Sequence, residues 1–249
     1  MKQKDKGIIY KGPSLIDGSQ IVVLATMGNK RIPNTKTGPM LQTYILLDNG
    51  KTPTENNRTG ADYSICGECP HRGTARPDAT SGAADGRACY VNLGHGPRSA
   101  YASYLNGGYE NLAGHLKTSA LGAGRMVRLG TYGDPAAVPS HIWHSLLWQA
   151  AGHTAYTHQS GIESADVRRD MMMISADNEA EARAAWRDGG RTFRIVKDYS
   201  QLVEGFEIPC PADTKGLSCL ACGLCKGAAN GGKSIAIAVH GAGAKHFKG

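Results

Sequence analysis

Seven cysteines in two groups restrict this 249-residue chain more than any other feature. Four lie in CPADTKGLSCLACGLC, residues 210–225: Cys210, Cys219, Cys222 and Cys225. Three lie far upstream: Cys66, Cys69 and Cys89. An odd count fits poorly with a disulfide framework. The opening segment, MKQKDKGIIYKG, lacks the apolar stretch of a signal peptide, and no apolar run approaches the ~18 residues of a membrane span. A cytoplasmic location without membrane contact is expected, and thiols stay reduced there. The cysteines therefore read as metal ligands.

Cys219, Cys222 and Cys225 form C-x2-C-x2-C, which brings three thiols to one side of a tight loop. Gly223 permits the sharp turn, and Cys210, between Pro209 and Pro211, supplies a fourth thiol. Four thiolates can hold a [4Fe–4S] cluster or zinc. The uninterrupted triplet is the spacing of bacterial ferredoxin loops and favours iron–sulfur, with zinc as the alternative. Leu220 and Leu224, between the ligands, are expected to shield the cluster from water. The upstream trio leaves one coordination position open, as catalytic sites do. The alternative there is a closed zinc site completed by His71.

The pattern along the chain points to α/β architecture. QIVVLATM and LQTYILLD read as strands in a β-rich N-terminal segment, residues 1–60. NGKTPTENNRTGADYS reads as a polar loop leading to the first cysteines. PRSAYASYL reads as a helix with Pro97 in its first turn and Gly107–Gly108 as its stop. Strands RMVRLGTYGDP, HTAYTHQ, DMMMISAD, RTFRIVKD and KSIAIAVHG then alternate with helices AAVPSHIWHSLLWQAAG and NEAEARAAWRDGG, the latter capped by Asp177 or Asn178. Short apolar strands alternating with helices predict parallel β/α units. The expectation is a partial parallel β/α barrel over residues 61–249, binding metal or cluster, with a C-terminal cysteine-rich loop at 210–225.

The strand ends carry polar residues: Gly133–Asp134, His158–Gln159, Asp177, Lys197–Asp198 and His240. Parallel β/α folds build their sites at that edge. Asp134, His158, Asp177, Lys197 and His240 are therefore the candidate catalytic set, although Asp177 can also be read as a helix cap. His141, His144 and His153 read as inert, Met171–Met173 as packing, and Arg168–Arg169 as solvated. Lys30, Arg31, Lys36, Arg98, Arg125 and Arg128 are candidate phosphate contacts. The net charge of +7 is compatible with a nucleotide or nucleic-acid partner. No Walker A, dinucleotide fingerprint or nucleophile elbow is present.

GADYSICGECPHR, ACYVNLGHGPRSAY, CPADTKGLSCLACGLC and KSIAIAVHGAG together resemble an uncharacterised cysteine-rich family encoded by tailed bacteriophages and prophages. That resemblance, from about Lys36 to the C-terminus, implies expression in a bacterial host cytoplasm and no particular activity. A looser resemblance is to radical S-adenosylmethionine enzymes, partial β/α barrels with a three-cysteine [4Fe–4S] site. It implies that Cys66, Cys69 and Cys89 hold a cluster whose free iron binds S-adenosylmethionine, with Tyr90 as the aromatic beside the last ligand. Gly133–Asp134–Pro135 resembles the segment that meets the cofactor amine, and the C-terminal group would hold an auxiliary cluster. The usual first site is a compact C-x3-C-x2-C, whereas here a long loop separates Cys69 from Cys89. The implied activity is reductive cleavage of S-adenosylmethionine followed by hydrogen abstraction. An electron donor would serve as partner, Asp134 would orient the cofactor, and His158 or Lys197 would handle protons. The competing reading is a non-catalytic module, stabilised by zinc or cluster, that binds nucleic acid or a protein partner.

Overall fold

A computed structural model describes residues 2–28, 34–229, 231–241 and 243–248. Lys30 and Arg31 lie outside the described residues. The chain folds as a mixed α/β structure with two five-stranded sheets. The first contains β1 (Lys6–Pro13), β2 (Gln20–Thr26), β3 (Leu41–Leu47), β4 (Met126–Tyr132) and β5 (Gly152–Thr154), in that spatial order. β1 to β3 are antiparallel neighbours, whereas β3, β4 and β5 run parallel. The apolar runs of β2 and β3 are buried almost throughout and supply the centre of the main core. β1, in KGIIYKGP, was not foreseen: charged and glycine residues flank its few apolar ones.

The stretch read as a polar loop before the first cysteines is helical. α1 (Pro53–Thr59) starts with a full capping box, in which Thr52 accepts from the Glu55 N–H and the Glu55 carboxylate accepts from the Thr52 N–H. That reciprocal pair satisfies two otherwise unpaired N–H groups, and Pro53 suits the first turn. The signal T-x-x-E was present, hidden by the polar composition. α2 (Tyr63–Cys66) ends on the first cysteine. α3 (Gly96–Leu105) has Pro97 in its first turn and Gly107 beyond its end, at φ +71°, as the sequence indicates. α4 (His115–Gly122) packs against α5 (Ser140–Leu147). α5 is shorter than expected, because Val138 precedes a proline and is extended, which breaks the helical register.

The second sheet is wholly parallel, in the order β6-β7-β8-β10-β9. Its strands are β6 (Tyr156–Thr157), β7 (Met173–Ala176), β8 (Thr192–Val196), β9 (Glu207–Pro209) and β10 (Ser234–Ala238), with α6 (Glu179–Arg187) after β7. α7 (Pro211–Thr214) and α8 (Cys219–Cys222) carry the cysteine loop. Only Ala155 separates β5 from β6. Its N–H donates to Cys225 O at 3.0 Å, and its carbonyl accepts from Met173 N–H at 3.0 Å. The strand read from HTAYTHQ is thus split between the sheets. Met171, Met172 and Met173 are all buried, though only Met173 lies in a strand. The boundary expected at residue 60 puts β3 and β4, neighbours in one sheet, on opposite sides. No helix among the described residues is long and apolar enough to cross a membrane.

Within the parallel sheet, Arg194 of β8 reaches across β10 to Glu207 of β9, with Nη2–Oε2 2.5 Å and both side chains buried. Removing one partner of such a pair leaves a desolvated charge, at a cost of about 3–5 kcal/mol. Glu207→Leu is therefore expected to lower stability by about that amount, measured as a fall in the urea midpoint at unchanged slope.

Candidate functional site

Both cysteine groups, far apart in sequence, line one cavity of about 380 Å³. It opens at the carboxyl ends of the parallel strands. Asp134 follows β4, His158 follows β6, Asp177 follows β7, Cys210 follows β9 and His240 lies just beyond β10. Tyr90, Gly133, Asp134, His158, Asp177 and His240 all contribute to its wall. Lys197 does not: it is exposed, outside the lining residues, with its N–H on Gln201 Oε1.

The upstream loop is held from beneath by Asp62, which accepts from Arg72 and from Asn57 of α1. The Arg72 guanidinium also donates to the Gly60 and Gly67 carbonyls. Cys89 joins this loop through its N–H on the His71 carbonyl, 3.0 Å, and an antiparallel bridge pairs Thr74 with Asp85. Gly73 is needed here: its φ is +82°, and a Cβ would lie 2.5 Å from the Asp85 carbonyl.

Asp134, expected to meet a cofactor amine, is committed elsewhere. Its carboxylate accepts from the backbone N–H groups of Ala136 and His158 and from Gln159 Nε2, at 2.8–3.0 Å. Gln159, fully buried, also donates to the Cys66 carbonyl and accepts from the Glu68 N–H. The pair ties the end of β4, the end of β6 and the cysteine loop together. Gly67 lets the loop approach this closely, since a Cβ there would lie 1.9 Å from Gln159 Oε1. Gly133 likewise sits at φ +83° against Ile45.

The C-terminal group is stitched to the same wall. The Cys210 N–H donates to the Ala236 carbonyl, and Cys219 and Leu220 N–H groups donate to Lys36 and Thr37 carbonyls. Ser218 caps α8, and Gly223 ends it in the left-handed region, the sharp turn the spacing demands. Leu220 and Leu224, expected as shields, are each 37% exposed, and only Leu224 lines the cavity.

Tyr90 and Arg128 line the same cavity. An Arg128 Nη2 N–H donates to the Tyr90 hydroxyl, and the Tyr90 and His240 rings are 5.8 Å apart. Burial opposes the charge on Arg128, but the guanidinium stays protonated, with the Tyr90 hydroxyl as an acceptor. Lys36 Nζ lies 2.9 Å from His240 Nε2 on the same wall. Arg98 and Arg125 lie outside this wall, and Arg125 pairs with Asp5. His141 and His144 are exposed on α5, and His153 Nε2 contacts the Met171 carbonyl, so none of the three reaches the cavity.

Asp177 is not the helix cap. Asn178 takes that role by accepting from the Glu181 N–H, while the Glu181 carboxylate accepts from the Asp177 N–H. The Asp177 side chain is thereby free to enter the cavity. There Oδ1 lies 3.1 Å from His71 Nε2 and 3.2 Å from His158 Nε2. Burial works against this carboxylate, yet the two imidazoles hold it well below the ordinary carboxylate range. His71 is thus drawn toward Asp177, a partner the sequence did not suggest.

Five of the seven thiols are in a medium that disfavours their ionised form. Burial raises Cys66 well above the ordinary thiol range, raises Cys89, Cys210 and Cys219, and pushes Cys225 up to about 12. A coordinated cation reverses that balance and deprotonates its thiol ligands outright. Among the described residues, no three thiol sulfurs lie within 4.8 Å of one another. Two thiolates on one zinc ion, at Zn–S ≈ 2.3 Å, lie at most about 4.6 Å apart. Neither thiol group is thus drawn together around a single ion. Of five buried side-chain polar atoms without a hydrogen-bond partner among the described residues, four line this cavity: His71 Nε2, Arg128 Nε, Tyr132 Oη and Thr154 Oγ1. Such orphans are costly and mark where a polar occupant belongs.

Comparison with known protein families, with curated proteins and with solved structures returns no match for this chain.

The Asp134 junction makes a direct prediction. Asp134→Asn replaces an acceptor oxygen with an N–H2 facing at least one donor, so stability should fall by about 2 kcal/mol or more, read by urea unfolding.

Proposed function

We propose that the chain is an iron–sulfur enzyme of the radical S-adenosylmethionine type, with both cysteine groups holding [4Fe–4S] clusters on one cavity. The observation that carries this reading is the division of the thiols: three and four, facing the same space, with no triple compact enough for one ion. Cys210, Cys219, Cys222 and Cys225 are enough to complete a cluster. Cys66, Cys69 and Cys89 leave one position free toward the cavity. The parallel strands of the two sheets, meeting at Ala155, are read as parts of an open β/α barrel whose carboxyl edge carries the site.

When bound, the three-thiolate cluster supplies one electron, taken from an external donor, to cleave S-adenosylmethionine to methionine and 5′-deoxyadenosine with abstraction of a substrate hydrogen. The protein's own share is placement. Gln159 and Asp134 fix the Cys66–Cys69 loop against the strand ends. Tyr90 lies within electrostatic reach of a thiol from each group, Cys89 and Cys219. Arg128, with its unpaired Nε, and Lys36 offer cations to an anionic substrate. This, the net charge of +7 and the resemblance to phage-encoded proteins support a nucleotide or nucleic-acid substrate.

Anaerobically purified protein should be brown and hold about eight irons and eight sulfides per chain. Cys66→Ala and Cys219→Ala should each remove about four irons and leave the other cluster. Colourless protein with stoichiometric zinc overturns the iron–sulfur reading. Reduced, fully loaded protein that yields no 5′-deoxyadenosine from S-adenosylmethionine overturns the radical chemistry. Binding to single-stranded nucleic acid that is indifferent to salt removes the electrostatic argument for the substrate.

A further inference from the structure

The wall of the cavity carries a second kind of ligand set, built from nitrogen and oxygen. Among the described residues, His71, His158 and Asp177 are the one group of three potential ligands whose donor atoms all lie within 4.8 Å. They come from three elements. His71 sits in the short turn Pro70–Arg72 after Cys69, His158 follows β6, and Asp177 follows β7. The rings of His71 and His158 meet edge-on with centroids 5.7 Å apart, and both Nε2 atoms approach the same Asp177 oxygen.

The contacts have the spacing of ligands around an ion. With metal–ligand bonds of about 2.1 Å, neighbouring donor atoms lie about 3.0 Å apart in octahedral and about 3.4 Å apart in tetrahedral coordination. The observed 3.1 and 3.2 Å fall between. Hydrogen bonding accounts for only one of them. His158 Nε2 has hydrogen-bond geometry toward Asp177, whereas His71 Nε2 is buried and has no hydrogen-bond partner despite its 3.1 Å approach. A ligand set shared around one ion accommodates a 3.1 Å approach that falls short of hydrogen-bond geometry. The sequence also keeps Asp177 available, since Asn178 does the capping that Asp177 would otherwise do.

We propose that His71, His158 and Asp177 form a mononuclear site for a divalent first-row metal ion, beside the upstream thiols, whose Cys69 lies within side-chain hydrogen-bond reach of His158. Two imidazoles and one carboxylate on one face are the donor set that suits ferrous iron and related ions. The remaining positions of such an ion face the cavity and take oxygen ligands: water, or a carbonyl, carboxylate or phosphate oxygen of the substrate. This assignment also changes the role of His71, which the sequence alone offers as the fourth ligand of a zinc site with Cys66, Cys69 and Cys89. It places His158 and Asp177 as metal ligands, so that His158 is no longer a free proton carrier.

Manganese(II) is the probe, because it avoids thiolates and is read by electron paramagnetic resonance. Titration of the anaerobic holoprotein should show one bound Mn²⁺ per chain, with nitrogen couplings from two imidazoles that shift on 15N-histidine labelling. His71→Gln and Asp177→Asn should each weaken this binding at least about tenfold, the loss seen even for outer partners of a metal site. Their iron and sulfide contents should equal those of the parent, which also shows that the variants fold. Absence of stoichiometric Mn²⁺, or bound Mn²⁺ without imidazole coupling, overturns the site. So does binding unchanged in both variants, or loss of a cluster from them. If a variant fails to fold, the nitrogen couplings in the parent decide alone. Iron and sulfide content tests the cluster reading separately, so the two can fail independently.

Discussion

The buried carboxylate of Asp134 is the junction on which the site depends. It sits where β4 ends, and it accepts N–H groups from its own turn, from the backbone of His158 and from the side chain of Gln159. Gln159 in turn grips the backbone on either side of Gly67. One desolvated anion, saturated by donors, thus sets the position of the upstream cysteines relative to the strand ends. Hydrogen bonds to a buried charge are stronger than neutral ones, and leaving one unmade is costly. The arrangement is correspondingly rigid where a cluster would have to be held.

The same economy of partners governs the rest of the cavity. Asp62 is saturated by Arg72 and Asn57, and Glu207 by Arg194 and the Val203 N–H. Among the described residues, four of the five buried side chains with an unpartnered polar atom belong to this wall: His71, Arg128, Tyr132 and Thr154. Apart from Arg58 Nε, the unmet bonding capacity of the described buried side chains is concentrated at one place. Seven thiols, most with ionisation suppressed by burial, surround that place. The proposals for clusters and for a separate ion both rest on this concentration.

Much of the fold is legible in the sequence. The runs QIVVLAT and LQTYILL form strands, as do the short apolar runs from Met126 onward, because continuous apolar stretches of that length suit buried strands. Pro97, Gly107 and Gly223 act where local chemistry says they should. The helix at Pro53–Thr59 was legible too, through Thr52 and Glu55, but its polar face disguised it. Its buried Asn57 is satisfied in part by Arg72 and Ala84, which only the folded chain brings near. The break at Ala155 has no local signal, since it depends on where Met173 and Cys225 lie.

By itself the sequence determined the donor chemistry: which thiols could act as ligands, their division into four and three, and the polar residues at strand ends. Spacing within a loop is a local property, and local geometry follows from it. Only the tertiary structure decided how these pieces are shared. It brought both thiol groups to one cavity, left Lys197 outside it, and bound Asp134 into the framework. It also turned His71 toward Asp177 and His158. Those outcomes depend on pairings between residues far apart in the chain, where a buried carboxylate takes whichever donors packing presents to it.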